Sequence, residues 1–141
     1  MEQYFQTSVS YDKIMDNGAM KKVTEHFVVF AMSFAEAEAI TTEEQAPFMS
    51  GDFDVKTAKR IKICEIFNRG NGDKYYLVKS NFITLDEHSG TEKRTMCKYL
   101  VGADCFQDAV EVFMENMKGT MSDFEITSIS ETPILEIYSR V

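Results

Sequence analysis

The chain has 141 residues and a hydrophobic content of 44%, which is enough for one compact domain or for two small units. Its formal charge of −8 disfavours broad binding to nucleic acid or to an anionic membrane, so any anion must be held by a local group of cations. Export and membrane insertion are not expected, because the sequence has neither a signal-peptide pattern nor an apolar run of roughly 18 residues. Cys64, Cys97 and Cys105 have no CxxC spacing and are interpreted as reduced thiols of a cytoplasmic protein.

The first half of the chain predicts two strands, a helix and a third strand. The segment "YFQTSVSYDKIM" alternates apolar and polar side chains, as a half-buried strand does, and "DNG" at residues 16–18 supplies a tight hairpin turn. The second strand, "KKVTEHFVVFAM", follows this turn. Ser33 with Glu36 predicts a capping box at the start of a helix, which we expect to end near Glu44. One long strand from Phe53 to Phe67 closes this half.

The second half repeats this order of elements. Gly90 suits a left-handed turn residue in the hairpin "DEHSGTEKR", and Asp104 with Gln107 predicts the capping box of a second helix. Gly119 is expected to end that helix, and one long strand from Phe124 to Tyr138 closes the half. The apolar stripe of the helix consists of Phe106, Ala109, Val110, Phe113 and Met117.

The two halves align as an internal repeat. The spacing is 71 residues at the first strand, 72 from the hairpin to the helix, and 71 again at the closing strand, where 124 − 53 = 71. We therefore predict an α+β fold of two duplicated ββαβ repeats, residues 1–68 and 75–141, joined by a connector at 69–74. Each repeat is too small for a core of its own, so the mostly antiparallel strands and two helices are expected to share one core in one compact domain. Phe34 and Phe106, the equivalent aromatic residues at the helix starts, are expected to be buried there.

The candidate site residues are cations. Lys56, Arg60 and Lys62 share strand parity in "VKTAKRIKI", so they are expected to lie along one face. Two interpretations stay open: charges that guard an exposed strand edge against aggregation, or a local anion site. The hairpins would add further cations to such a site: Lys21, Lys22, Lys93 and Arg94.

Other chemistry has little support in the sequence. His26 and His88 share no motif with a cysteine, and no zinc spacing, nucleophile motif or phosphate-binding loop is present. Cys105 lies at a predicted helix N-terminus, where its pKa could be lowered, but it is better interpreted as a small buried residue. We therefore predict a protein that is not an enzyme and has neither a metal nor a cofactor.

Three segments, "NGAMKKVTEHFVVFAMSFAEAEA", "FITLDEHSGTEKRT" and "MKGTMSDFEITSISET", resemble the recurring parts of a small family of unknown function. The resemblance covers nearly the whole chain, and the family is found in Bacteroidetes chromosomes, their mobile elements and their phages. It implies a cytoplasmic protein of phage or prophage origin. It implies no activity, cofactor or catalytic residue, since the family has none established.

Two functions follow as hypotheses. The first is a non-enzymatic binding protein, further assembled as a homo-oligomer, that holds a protein partner or a small anionic ligand such as a nucleotide. In a phage it would sequester a host factor. The alternative is a single-stranded nucleic-acid accessory protein in replication or recombination, whose strand aromatics would stack bases beside the cations. Those aromatics are Tyr4, Tyr11, Tyr75 and Phe82.

Overall fold

The computed structural model describes residues 3–68 and 72–139 of the chain. The first half contains β1 (Gln3–Ile14), β2 (Met20–Ala31), α1 (Phe34–Gln45), a 3-10 helix (Ala46–Phe48), β3 (Phe53–Ile61) and β4 (Glu65–Asn68). The second half contains β5 (Lys74–Leu85), β6 (Glu92–Ala103), α2 (Phe106–Asn116), β7 (Asp123–Glu131) and β8 (Ile134–Ser139). The predicted α+β class with two helices and mostly antiparallel sheets is confirmed.

The prediction of one long closing strand in each half is wrong. The first such strand is divided into β3 and β4, and the second into β7 and β8. Pro133 lies at the second division, where a residue without an N–H cannot continue the hydrogen-bond ladder. Lys62 aligns with it at the spacing of 71 and lies at the first division.

The chain divides into two compact units, each with one four-stranded sheet. Unit 1 comprises Met1–Ile61 and Pro133–Val141, and unit 2 comprises Lys62–Thr132. The sheet of unit 1 has the order β3-β1-β2-β8, and that of unit 2 has the order β4-β6-β5-β7. The fourth strand of each sheet thus comes from the other half of the chain and pairs in parallel, β8 with β2 and β4 with β6. The compact units therefore differ from the predicted sequence repeats, and residues 69–71 of the predicted connector lie outside the described residues.

Strand pairing in the two units has the same register once the sequence spacing is applied. β1 and β5 are equivalent strands, and the bulges opposite them fall at Ser8/Val9 and at Lys79/Ser80, 71 residues apart. The duplication itself stays a prediction, which these registers support, and so does the sharing of one core. Each strand pair of unit 1 has a counterpart in unit 2: Phe5–Val29 corresponds to Tyr76–Val101, Phe5–Arg60 to Tyr76–Glu131, and Phe27–Glu136 to Tyr99–Glu65.

Each helix covers one face of the sheet in its own unit. In unit 2, Phe113 packs between aromatic rings, with ring centroids 5.3 Å from Tyr99 and 6.0 Å from Phe124. In unit 1 the corresponding cluster contains Phe5, Val29, Ala31, Ala37 and Ile40. The expectation that Phe34 and Phe106 are buried is wrong, because they are 48% and 56% exposed. Each is the first residue of its helix, and the buried face begins with the alanine three residues later.

Local turn and cap chemistry agrees with the sequence in most places. Gly18 and Gly90 have φ values of 83° and 69°, as their hairpins require. Ser33 accepts a hydrogen bond from the backbone N–H of Glu36 at 3.1 Å, which confirms the Ser33 half of the predicted capping box. Asp104 is not the second cap, because Cys105 holds that position, and Asp104 instead accepts a hydrogen bond from the backbone N–H of Asp73. Cys105 is exposed, so its interpretation as a buried residue is also wrong.

Candidate binding cleft

The end of the β1–β2 hairpin presents two apolar side chains to solvent. Ile14 and Met20 form the last pair of the ladder and are 70% and 63% exposed. The turn between them is closed by backbone hydrogen bonds from Met15 to Ala19 and from Gly18 to Met15, at 2.8 and 2.9 Å. The side-chain oxygen of Asn17 also accepts a hydrogen bond from the backbone N–H of Ala19. The turn therefore holds the apolar pair in a defined place.

The segment that follows α1 presents a third large apolar side chain. Pro47 lies in the first turn of the 3-10 helix, and the backbone N–H of Met49 donates to the carbonyl of Ala46 at 3.2 Å. Phe48, the last residue of this 3-10 helix, is 79% exposed. An exposed phenylalanine next to the exposed hairpin end is an apolar surface that folding alone does not explain.

These two segments enclose a cleft of about 550 Å³ in unit 1. Its apolar rim consists of Ile14, Met20 and Phe48, and its ionisable lining comprises two carboxylates, Asp12 and Asp52, and one cation, Lys13. The remaining lining residues are Tyr11, Met49, Ser50 and Gly51. A site of this size and mixed character suits an apolar side chain that is flanked by a positive charge.

Tyr11 lines the cleft beside an acidic neighbour. Its hydrogen bond to Glu25 is the main cause that raises the pKa of the Tyr11 hydroxyl, with burial and the negative charge of Glu25 adding to it. The phenol is therefore a neutral hydrogen-bond donor at neutral pH, and it is already engaged with Glu25.

Unit 2 has no equivalent apolar rim on its hairpin. Leu85, the counterpart of Ile14, is 66% exposed, but it pairs with Glu92, which stands where the first hairpin has Met20. At the spacing of 72, Thr120 replaces Phe48, and Met121, which is 98% exposed, corresponds to Met49. The hairpin ends of the two units thus differ in character, although both hairpins have the same strand register.

The structure does not bring the three cations of the predicted stripe onto one face. A β-bulge between Val55 and Thr57 leaves Lys56 without a partner on β1 and reverses the parity of the strand beyond it. Arg60 lies over the rings of Phe5 and Phe34, at 6.0 and 5.5 Å from their centroids. Lys56 instead forms an ion pair with Asp54 at 3.6 Å, and Lys62 follows the end of β3 and belongs to unit 2.

Within each hairpin, the two cations do not share one sheet face. Lys21 and Lys22 are consecutive residues of β2, and so are Lys93 and Arg94 of β6, so each pair points to opposite sheet faces. Arg94 is also held by Glu92 at 3.5 Å and by Glu125 at 3.0 Å. The arrangement therefore gives little support to an anion site, and β3 lies at a sheet edge, as the edge-guard interpretation requires.

Within each unit, the two strand aromatics do not share one exposed face. Tyr75 is only 6% exposed, and Phe82 packs against the core cluster of unit 2. Tyr4 and Tyr11 lie an odd number of positions apart on β1, so they point to opposite faces of the sheet. Stacking of single-stranded bases on these four rings would need them on one exposed surface.

Both histidines lie where the sequence places them, His26 on β2 and His88 in the turn before β6. No group of three or more metal-ligating side chains occurs among residues 3–68 and 72–139. None of the helices in these ranges is long and apolar enough to cross a membrane. Sequence reasoning missed the cleft, although the exposed "PFM" between Pro47 and Gly51, in an otherwise polar loop, was a usable signal.

The fold and cleft define a small α+β protein with two units of like topology and an apolar-rimmed cleft in the first unit. The chain belongs to the family described as Domain of unknown function (DUF4494), whose model matches residues 3–140. No curated protein and no solved structure matches the chain. The predicted membership of a family of unknown function is therefore confirmed, and the phage or Bacteroidetes origin stays a prediction.

Proposed function

We propose that the chain is a non-enzymatic protein-binding module that holds an apolar side chain of a basic partner segment in the cleft. The observation that carries this proposal is the exposure of three large apolar side chains around one concavity: Ile14, Met20 and Phe48 are 70%, 63% and 79% exposed. Clustered exposed apolar groups mark interaction sites, whereas single ones are common on any surface.

The charge of the cleft favours a basic partner over an anionic ligand. Asp12 and Asp52 outnumber Lys13 in the lining, and the whole chain has a formal charge of −8. A positively charged segment is attracted at long range by this field, whereas a nucleotide or a polyanion is repelled. Of the two ligand classes expected from the sequence, a protein partner therefore has the better support.

The proposal includes the setting that the sequence resemblance implies. The module would work in the cytoplasm, encoded by a phage or a mobile element, and would sequester a host factor by occupying that factor's basic, apolar segment. A pre-formed cleft on a hairpin with a closed turn suits this role, because little conformational entropy is lost when the partner docks.

The test compares two matched variants as baits in a host lysate. Ile14→Ser removes one side of the cleft, whereas Leu85→Ser makes the same chemical change at the equivalent, equally exposed position of the other hairpin. We expect mass spectrometry to find a basic host protein with wild type and with Leu85→Ser, and to lose it with Ile14→Ser and with Phe48→Ala. Raising the salt from about 50 to 200 mM should weaken capture, because exposed charges are screened.

Two results would contradict the proposal. One is the capture of the same proteins by Ile14→Ser, Phe48→Ala and wild type alike. The other is binding of a mixed single-stranded oligonucleotide by wild type with a log-log salt slope near −0.7 per phosphate contact, which would favour the nucleic-acid alternative.

A further inference from the structure

Two of the three cysteines lie side by side in unit 2. The backbone N–H of Cys64 donates a hydrogen bond to the carbonyl of Lys98 at 2.8 Å, so Cys64 lies beside β6 next to Cys97. From Glu65 onward, β4 runs parallel to β6, beginning with the pair Glu65–Tyr99. This register places Cys64 opposite Lys98, so Cys97 is its diagonal neighbour. With strands about 4.8 Å apart and a rise of about 3.3 Å per residue, the two Cα atoms are about 6 Å apart, within the range of roughly 4.4 to 6.8 Å that a disulfide spans.

The two thiols also interact electrostatically. Burial raises the pKa of the Cys97 thiol, and a hydrogen bond with Cys64 and the negative charge of its thiolate raise it further. Cys64 itself is exposed, so an oxidant in solution reaches it directly. The pair therefore consists of an accessible thiol and a half-buried neighbour within reach of it.

We propose that Cys64 and Cys97 are a reversible oxidation site, at which a peroxide converts the two thiols into a disulfide between β4 and β6. The Cys64 thiolate attacks the peroxide: an S–O bond forms, the O–O bond breaks, and hydroxide leaves and takes up a proton to become water, so Cys64 becomes a sulfenic acid. The Cys97 thiolate then attacks the Cys64 sulfur, the S–S bond forms, and hydroxide leaves and takes up a proton. The two thiols together lose two electrons and two protons, and hydrogen peroxide becomes two molecules of water.

The disulfide would stabilise β4, which is a short edge strand. β4 has four residues and lies at the edge of its sheet, held in the ladder by β6 alone among the described strands. Short edge strands open more easily than central ones. A crosslink at the first residue before β4 would therefore hold this strand in place after oxidation.

Unit 1 lacks this chemistry at the equivalent places. At the spacings of 71 and 72, Leu135 corresponds to Cys64 and Glu25 corresponds to Cys97. Oxidation would therefore stabilise β4 in unit 2 and leave the equivalent parallel strand β8 of unit 1 unchanged.

The experiment treats the full chain with hydrogen peroxide at pH 8 and counts free thiols, with Cys105→Ser as the matched control. We expect wild type to lose two of its three thiols and 2 Da of mass, and Cys105→Ser to lose both of its thiols. Tryptic digestion should give the linked peptides "ICEIFNR" and "TMCK", which dithiothreitol separates. The Cys64→Ser variant should show no mass loss of 2 Da.

Two further measurements separate this site from general oxidation. Disulfide formation should become faster between pH 7 and 9, because the reaction needs the Cys97 thiolate, whose pKa is raised. Oxidised wild type should melt roughly 5 to 15 °C higher than the reduced form, and its β4 amides should exchange more slowly. Mass gains of 16 Da or more without the linked peptides, a disulfide that contains Cys105, or dimers between chains would each overturn the proposal.

Discussion

Two phenylalanines of α2 test which face of this helix packs in the core of unit 2 and stabilises it. Phe113 is fully buried among aromatic rings, whereas Phe106 is 56% exposed at the start of the same helix. Replacing Phe113 with alanine should lower the free energy of unfolding by about 3 to 5 kcal/mol, because it removes a buried ring and leaves a cavity. Phe106 buries 100 − 56 = 44% of its surface, so Phe106→Ala should cost only about 1 kcal/mol.

The assay is urea denaturation of both variants and wild type, followed by far-ultraviolet circular dichroism at one temperature. We expect the midpoint for Phe113→Ala to fall well below that for Phe106→Ala, with similar slopes if both unfold by the same transition. The two costs should differ by at least about 2 kcal/mol. Equal losses for the two variants, or a loss under about 1 kcal/mol for Phe113→Ala, would show that α2 packs through a different face.

Three further predictions concern a buried hydroxyl, a carboxylate and an edge strand. The hydroxyl of Ser80 is fully buried and has no hydrogen-bond partner among the described residues. Ser80→Ala should therefore raise the free energy of unfolding, measured in urea, by about 0.5 to 1 kcal/mol. A decrease of this free energy by more than about 1 kcal/mol would contradict the prediction. Hydrogen bonds from Asn81 and Arg94 lower the pKa of Glu125 below 4.5, so its stabilising effect is present above pH 4.5 and lost as pH falls through the folded-state pKa. The melting temperature of Glu125→Gln should therefore approach that of wild type in acid, and a constant difference from pH 7 to 3 would exclude this role. The double change of Lys56 and Lys59 to serine should promote aggregation, measured by light scattering, with little change in melting temperature.

The hairpins and the first helix start were predictable because short-range chemistry determines them. Gly18 and Gly90 adopt positive φ, which few other residues accept, and the Ser33 side chain caps a backbone N–H only three residues away. The internal spacing of 71 and 72 residues also relates the strand register of unit 1 to that of unit 2. These features depend on residues that are neighbours in the sequence or on patterns that repeat within it.

The residue pattern did not predict that β4, from the first half of the chain, joins the sheet of unit 2, or that β8, from the second half, joins the sheet of unit 1. Apolar alternation continues almost unbroken across the divisions at Lys62 and Pro133, and only the proline marks a stop. Which sheet receives β4 or β8 depends on pairing with residues more than 30 positions away along the chain, at Tyr99 for Glu65 and at Phe27 for Glu136. Local propensity contains no information about such partners.

The expected shared face of the three strand cations was wrong for a similar reason. Strand parity predicted that Lys56 and Arg60 share a face. A single bulged residue in β3 reverses this parity, and no sequence pattern indicates the bulge. The cleft forms because the β1–β2 hairpin and the loop after α1 meet in space, although they are about 30 residues apart. Only the exposed Phe48 was recognisable in advance, as an aromatic residue in a polar turn.

The edge position of β3 agrees with the edge-guard interpretation of its cations, and the other edge strand, β7, has carboxylates instead. Both β3 and β7 lie at sheet edges, where unpaired backbone groups invite another strand, and lysines on such an edge oppose that pairing. Serine at Lys56 and Lys59 would change the formal charge from −8 to −8 − 2 = −10, which increases the repulsion between molecules. General charge effects therefore predict greater solubility for this variant, whereas edge protection predicts aggregation. The control Lys79→Ser/Lys98→Ser makes the same charge change at a directly opposed pair on β5 and β6, the two central strands of the other sheet. Aggregation of the β3 variant alone would assign the cations to the edge, and aggregation of neither would return them to a binding role.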